Sequence, residues 1–392
     1  MSTPASTHLP APARLPQIAE AFQVSGKYVT GERFGNGLIN DTYVVTCRNA
    51  SSSRRYILQR INHSVFRDPV SLMGNVERVC HHIRRRLHGD PAESVDRRSL
   101  NIIPTHAGRS FHHELGSPGY LEESYWRCFD FIEGCSSFDV IETPDQAWQA
   151  ARKFGEFQRL VADIGGDRLV ETIPDFHNTP KRFQAFLDAM QADPHGRASG
   201  CQDEIEFALS REPIAHHLLG LHTRGQIPER VTHNDTKLSN VLIDDETGAG
   251  LCVVDLDTVM PGLSLYDFGD LVRSCVSPAP EDSTDLAEVQ VRMPMFQALA
   301  RGFIEEMAGV LTPCETANLA FSGKLLAYEL GLRFLTDHLL GDTYFAAKRP
   351  NHNLDRARNQ FQLVRRLETA EPEMNACVDD LVGTLATTDR RL

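Results

Sequence analysis

The sequence predicts an α+β fold in two lobes, a β-rich N-terminal lobe followed by a mainly helical C-terminal lobe. Three observations carry this. Runs rich in β-branched and aromatic residues gather in the first third, at Tyr43-Val-Val-Thr-Cys47, Tyr56-Ile-Leu-Gln-Arg60-Ile61 and residues 125–132. Beyond residue 143 the apolar period becomes helical, as in Trp148, Ala151, Phe154, Phe157, Val161 and Ile164. The 392 residues exceed what one small core needs and suit two lobes.

Taken in order, residues 1–16 are rich in Ser, Thr, Pro and Ala and lack the apolar core of a secretory signal, so they are expected to form a flexible leader. A helical opening at 17–22 leads into the glycine-containing stretch Gly31-Glu-Arg-Phe-Gly35-Asn36-Gly37. The turn-rich segment 49–53 joins the first two strand runs into a hairpin. Leu72, Val76, Val79, Ile83 and Leu87 keep helical spacing, and a further strand at 125–132 ends at Glu133-Gly134, the expected lobe boundary. Thr143-Pro144-Asp145-Gln146 is a capping box with Pro at the first helical position, and Gly165-Gly166 stops that helix. A short β insertion follows, with strands at 241–243 and 251–254 around a turn at 244–250. Long helices are expected at 322–340 and 354–367, and no fixed-period repeat is present.

Composition narrows the function classes. Hydrophobic residues make up 41% and charged residues 24%, and no apolar run approaches the length of a bilayer span. The net charge of −13 argues against nucleic acid as a partner, because phosphate backbones are met by basic surfaces. Nine cysteines occur singly, with no C-x-x-C pair, which argues against a disulfide framework or structural zinc and for a reduced, cytoplasmic setting. The histidine doublets at 81–82, 112–113 and 216–217 lack metal-ligand spacing. No membrane or obligate protein partner is inferred.

The text that carries chemistry is Val231-Thr-His233-Asn234-Asp235-Thr-Lys237-Leu-Ser-Asn240-Val-Leu-Ile243, then Val253-Val254-Asp255-Leu256-Asp257. A loop Asp, an Asn five residues on, and a second Asp returned by a hairpin are the parts phosphoryl transfer needs. Asp235 would accept the acceptor hydroxyl's proton, while Asn240 and Asp255 would offer oxygen to Mg²⁺, which prefers hard ligands. Asp257 would either take a second Mg²⁺ or hydrogen-bond the loop. His233 is expected to brace the loop, as are Asp267 and Asp270. Singly, a loop Asp or Asn more often just caps a turn; the ordered set is what singles these out. Gly35, Asn36 and Gly37 would let backbone N–H groups approach phosphate oxygens.

The Asp-x-x-x-x-Asn spacing resembles the protein-kinase catalytic loop, and Asp255 stands where that fold has its metal-binding Asp. Leu256-Asp257 in place of Phe-Gly points to the small-molecule branch, the aminoglycoside phosphotransferase and choline kinase-like proteins. That resemblance implies a protein kinase-like fold with ATP and Mg²⁺ as cofactors. With the boundaries read above, the chain is expected to comprise a leader (1–16), a nucleotide-binding lobe (17–133), a helical catalytic and substrate-binding lobe (134–370) and a tail (371–392). The resemblance also implies that Arg60, with Glu77 as helix partner, meets the phosphates, and that backbone groups at Asp130 and Ile132 meet adenine.

More narrowly, Gly35-Asn-Gly-Leu-Ile-Asn-Asp-Thr-Tyr43, Ile173-Pro-Asp-Phe-His-Asn-Thr179, the two site segments and Tyr328-Glu-Leu-Gly-Leu-Arg333 look like N-acetylhexosamine 1-kinases, a likeness running from about residue 17 to 370. It implies phosphorylation of the anomeric hydroxyl of N-acetylglucosamine or N-acetylgalactosamine, with Arg333 and Tyr344 contacting the sugar beside Asp235. The family often has His where this chain has Leu38, which bears on sugar preference. On its residues alone, Arg333 reads as an i,i+4 partner of Glu329. The alternatives are a kinase for another sugar, an amino alcohol or an aminoglycoside, and an inactive nucleotide-binding regulator.

Overall fold

The structure is a computed structural model that describes residues 14–35, 39–88, 94–116 and 123–389. Two compact units, Met1–Cys135 and Ser136–Leu392, divide the chain. The first is built on an antiparallel sheet and the second is mainly helical, the α+β division that the sequence predicts.

In the first unit five antiparallel strands run in the order Lys27–Arg33, Asp41–Arg48, Ser53–Ile61, Ser124–Asp130, His112–Glu114. Because side chains alternate across a strand, the register sorts them onto two faces. Tyr43, Val45, Tyr56, Leu58, Trp126 and Cys128 share one face and bury against Leu15, Ile18 and Phe22. The helix carrying Leu15 is Leu15–Glu20, so the last two residues of the expected leader open it. Gly31 lies inside the first strand, where an added Cβ would come within 2.9 Å of Leu15 Cδ1. Its smallness therefore admits the helix to the sheet.

The opposite face carries Gln59 and Arg127. Arg127 Nε donates to Gln59 Oε1 at 2.9 Å, and its Nη1 lies 4.0 Å from Met73 Sδ on helix Pro69–Leu87. Arg60 pairs in register with Trp126 and so belongs to the first face. Arg127, 1% exposed, is a cation on the face toward the helix that bears Glu77, and Cys80 feels both charges.

In the second unit, helix Pro144–Val161 starts with the capping box that the sequence predicts, Thr143 and Gln146 bonding reciprocally. It crosses helix Met293–Met307 at two glycines: a Cβ on Gly302 would sit 2.5 Å from Trp148 O, and one on Gly155 would sit 3.1 Å from Phe303 O. Helix Leu319–Leu339 is buried along most of its length, against Ser264–Cys275 on one side and His352–Asp389 on another. The last helix continues well past 367, through the stretch read as a tail and across Pro372. An internal proline removes a helical hydrogen bond. Burial of Met374 (0% exposed) and Val378 (3%), four residues apart, together with the Lys324–Glu371 ion pair, offsets that loss.

Two short antiparallel pairs interrupt the helices: Arg230–Thr232 with Met260–Gly262, and Val241–Asp244 with Gly250–Val253. They fix the segments between them, 233–240 and 254–259. All nine cysteines are free thiols, and no helix among the described residues is long and apolar enough to cross a membrane.

Candidate active site

The strand Arg230–Thr232 delivers the chain into Asn234, which takes a left-handed conformation (φ 65°). A non-glycine residue adopts this only when neighbours hold it there, and Asn is among the more tolerant. The Asn234 side chain bonds Thr232 Oγ1 and the Thr258 carbonyl, 3.0 and 2.9 Å away. Asp267 then clamps the backbone: its Oδ2 accepts from His233 N (2.9 Å) and Gln158 Nε2 (2.5 Å), and its Oδ1 accepts from Asn234 N (2.7 Å). Asp270 does the same for Thr236 N at 2.9 Å while pairing with Arg273. The bracing role expected of Asp267 and Asp270 is thus observed.

His233 is fully buried between the rings of Phe154 and Phe157. Its Nδ1 accepts from Asp235 N, so Nε2 carries the proton and donates to Val254 O at 2.9 Å. The imidazole, committed at both nitrogens, ties the Asp235 loop to the Asp255 loop.

Asp235 emerges from this frame with its side chain 31% exposed. Lys237 Nζ lies 3.0 Å from its Oδ2, and Asn240 Nδ2 donates to the same oxygen at 3.1 Å and to the Asp235 carbonyl at 2.9 Å. Burial would raise the carboxyl's pKa, but the Lys237 charge and these hydrogen bonds outweigh it and hold the group below the usual carboxylate range. Lys237 in turn is raised: burial pulls it down, and the charges of Asp235 and Asp255 more than restore it. Sequence reading assigned no task to Lys237. Its place between Asp235 and Asn240 is the signal that could have found it, since an ammonium within reach of Asp235 and Asp255 can meet phosphoryl oxygens.

Asn240 N-terminally adjoins the strand Val241–Asp244, and its carbonyl accepts from Val254 N at 2.9 Å. That puts Asn240 beside the residue preceding Asp255, which is also left-handed (φ 61°, ψ 60°) and exposed. With its amide nitrogen turned to Asp235, Asn240 offers oxygen, as Asp255 does. This hard-oxygen set fits Mg²⁺, which takes one or two carboxylates and completes its shell with water and phosphate. Among the described residues no group of three or more His, Cys, Asp or Glu could hold a metal, so a dedicated cage is absent from them. Asp257 is 2% exposed within the turn Leu256–Thr258, where its carbonyl accepts from Thr172 Oγ1.

The Asp235 loop is also joined to the helix bearing Arg333. His177 Nε2 contacts Asn234 O at 3.1 Å, and its Nδ1 contacts Glu329 Oε1 at 2.8 Å. Both partners are acceptors, so the ring is a doubly protonated imidazolium. Burial lowers its pKa, but the Glu329 charge and hydrogen bond, the Asp270 charge and the Asn234 carbonyl raise it overall. Glu329 is consumed by His177 and by Thr179 Oγ1 (2.6 Å), not by an i,i+4 pair with Arg333. Arg333 instead faces the rings of Phe345, Phe176 and Tyr344, at 5.3, 5.6 and 5.9 Å. Tyr344 is 68% exposed, and Asp337 holds its loop by accepting from the backbone N–H groups of Thr343, Tyr344 and Phe345.

The residues assigned to the nucleotide lie in the first unit. Gly35 has φ +72° with open space where a Cβ would be; Asn36, Gly37 and Leu38 lie outside the described residues. Asp130 N donates to Asn101 O at 3.1 Å and Phe131 N to Arg55 O at 3.2 Å, while Ile132 is 8% exposed.

Residues 30–290, more than half of the chain, match the sequence profile of the phosphotransferase enzyme family, APH. Solved structures share the fold at low identity. A microcompartment-associated aminopropanol kinase aligns with TM-score 0.59 and 15% identity over 93% of this chain and 98% of its own. An aminoglycoside phosphotransferase from Alicyclobacillus acidocaldarius gives 0.58 and 13% over 93% and 97%. An amicoumacin kinase solved with AMP-PNP and Ca²⁺ gives 0.52 and 10% over 86% and 88%. By that match, the chain belongs to the APH phosphotransferase enzyme family.

Proposed function

We propose that the protein transfers the γ-phosphoryl group of ATP to the anomeric hydroxyl of an N-acetylhexosamine, N-acetylglucosamine or N-acetylgalactosamine, giving the sugar 1-phosphate. The observation that carries the reaction type is the Asp235 carboxylate, held ionised by Lys237 and Asn240 on a loop whose backbone N–H groups from His233 to Thr236 are all held by buried side chains. The acceptor rests on the sequence resemblance, with Arg333 and Tyr344 as the sugar's contacts.

Asp235 orients the 1-hydroxyl and takes its proton as the hydroxyl oxygen bonds to the γ-phosphorus and the bridge to the β-phosphate breaks, releasing ADP. Lys237 meets charge on the transferring oxygens. Asn240 and Asp255 would hold Mg²⁺, which when bound screens the phosphates; Asp257 stands behind Asp255 in the same turn. Gly35, Asn36, Gly37 and Arg60 are assigned to the ATP phosphates, and backbone groups at Asp130 and Ile132 to adenine. Rate comes from positioning and charge stabilisation.

The test is ADP release from Mg-ATP with N-acetylglucosamine, N-acetylgalactosamine, glucose, galactose, choline and kanamycin, with phosphorus NMR of the product. A sugar 1-phosphate formed by the wild type and lost in Asp235→Asn, which still folds and binds ATP, supports the reading. Turnover only on choline or kanamycin would move the protein to an amino alcohol or aminoglycoside acceptor. ATP binding without turnover on any compound would make it a regulator.

A further inference from the structure

Two guanidinium groups lie together beside the Asp235 loop, and their nearest acids are engaged elsewhere. Arg182 sits in the first turn of helix Thr179–Ala192 and Arg333 on helix Leu319–Leu339. Phe176 joins them: its carbonyl accepts from Arg182 Nη2 at 3.0 Å, and its ring faces the Arg333 guanidinium. Phe176 adjoins His177, which touches the carbonyl of Asn234, the residue before Asp235. The pair is therefore anchored to the segment that presents the base.

Glu329 is bound to His177 and Thr179, and Asp175 to Lys181 at 2.7 Å. Among the described residues neither guanidinium has an ion-pair partner. Arg182 Nε is buried and has no hydrogen-bond partner in the protein. A buried donor without a partner is costly, and two like charges that feel one another add to the cost. Burial, and then the Arg333 charge, push the Arg182 pKa down. A group that brings oxygen lone pairs to the guanidinium groups offsets the paired positive charge, whereas an ammonium compounds it.

We infer that Arg182 acts with Arg333 as an acceptor-selecting pair that takes a carbonyl or carboxylate oxygen of the substrate and excludes acceptors bearing an ammonium group. This rests on the kinase reading for its meaning, and it makes Arg182 a binding residue that sequence motifs did not mark. The planar fork of Arg suits either oxygen group, a neutral acetamido carbonyl or a uronate carboxylate. Unpaired donors in such a site reject a ligand lacking the matching group.

The experiment has a binding arm independent of turnover. Calorimetric titration with N-acetylglucosamine, glucose, glucuronate and choline is carried out on wild type and Arg182→Gln, each with AMP-PNP and Mg²⁺ present. Wild type should bind N-acetylglucosamine or glucuronate, whichever oxygen group the pair takes, in preference to glucose, and should not bind choline. Arg182→Gln should lose about ten- to a hundredfold in that affinity, keep its AMP-PNP affinity, and bind the favoured sugar and glucose alike. Arg182→Lys, which keeps the charge without the fork, covers failure of the Gln variant to fold and should lie between the two. Choline binding by wild type as tight as that of the best sugar overturns the inference, as does unchanged sugar binding in the variants or no binding of any compound. The kinase reading fails separately: the binding pattern without ADP release sustains the pair and removes the catalysis, while rapid choline phosphorylation does the reverse.

Discussion

Replacing Asp267 by Asn tests the loop architecture with the smallest change of shape. Asp267 receives two donors at Oδ2, from His233 N and Gln158, and one at Oδ1, from Asn234 N. An amide at this position keeps its oxygen toward the two donors, so its NH₂ faces Asn234 N. One charge-assisted hydrogen bond, about 1.5–3 kcal/mol, is then lost and a buried N–H is left opposite another donor, for a total of about 2–4 kcal/mol. The residue released is Asn234, whose left-handed backbone aims Asp235. At about 1.4 kcal/mol per factor of ten, kcat should fall roughly 30- to 1000-fold if the loss falls wholly on the catalytic geometry. Urea unfolding separates the stability loss from the catalytic one, and KM for ATP should change little. A variant with kcat within about threefold of wild type and an unshifted urea midpoint would refute the role given to this carboxylate.

Three further outcomes are expected. The His177–Glu329 pair should give a stability contribution with two edges. His177 is raised above 6.5, so its share is complete below that value and is lost as pH climbs through the raised pKa; Glu329 is lowered below 4.5, where burial is outweighed by His177, so its share is lost as pH falls through the depressed value. The stability gap between wild type and His177→Gln, read from urea midpoints, should therefore be widest between about 4.5 and 6.5; a gap that widens above pH 8 would contradict the charged ring. Asp337→Ala removes the acceptor for three consecutive backbone N–H groups, so KM for the acceptor should rise about tenfold with KM for ATP unmoved, as steady-state kinetics will show. Gly269→Ala places a Cβ 2.5 Å from the Ser322 carbonyl oxygen; the overpacking, about 1–3 kcal/mol, exceeds the propensity gained by Ala, so thermal midpoints should drop.

The sequence marks residues 235–255 of the candidate site well and the surroundings of Arg333 poorly. Asp235, Asn240 and Asp255 are legible because they fall within 21 residues and the hairpin between them has its own turn and strand signals, Val241 pairing with Val253. The capping box at Thr143 is legible because its chemistry is local. His177 with Glu329 is not: its partners are 152 positions apart, and nothing nearby distinguishes a paired His from a surface one. Arg182 reads as an ordinary polar residue of a helix start until the fold brings Phe176 and Arg333 to it. Strand alternation decides which face a cation takes, and a register is set by neighbours that a single strand's text does not contain, so Arg127 on the next strand went unmarked. The end of the last helix was hidden by Pro372, a local breaker overruled by distant packing.

The braces around Asp235 also bear on how the protein acquires its activity. Gln158 reaches Asp267 across 109 positions, Asp267 reaches His233 across 34, and His177 reaches Glu329 across 152. Each closure costs loop entropy that is recovered only once the intervening helices have packed. Turnover should consequently be the last property to return during refolding, trailing helical circular dichroism, and no fragment lacking the Leu319–Leu339 helix should display it.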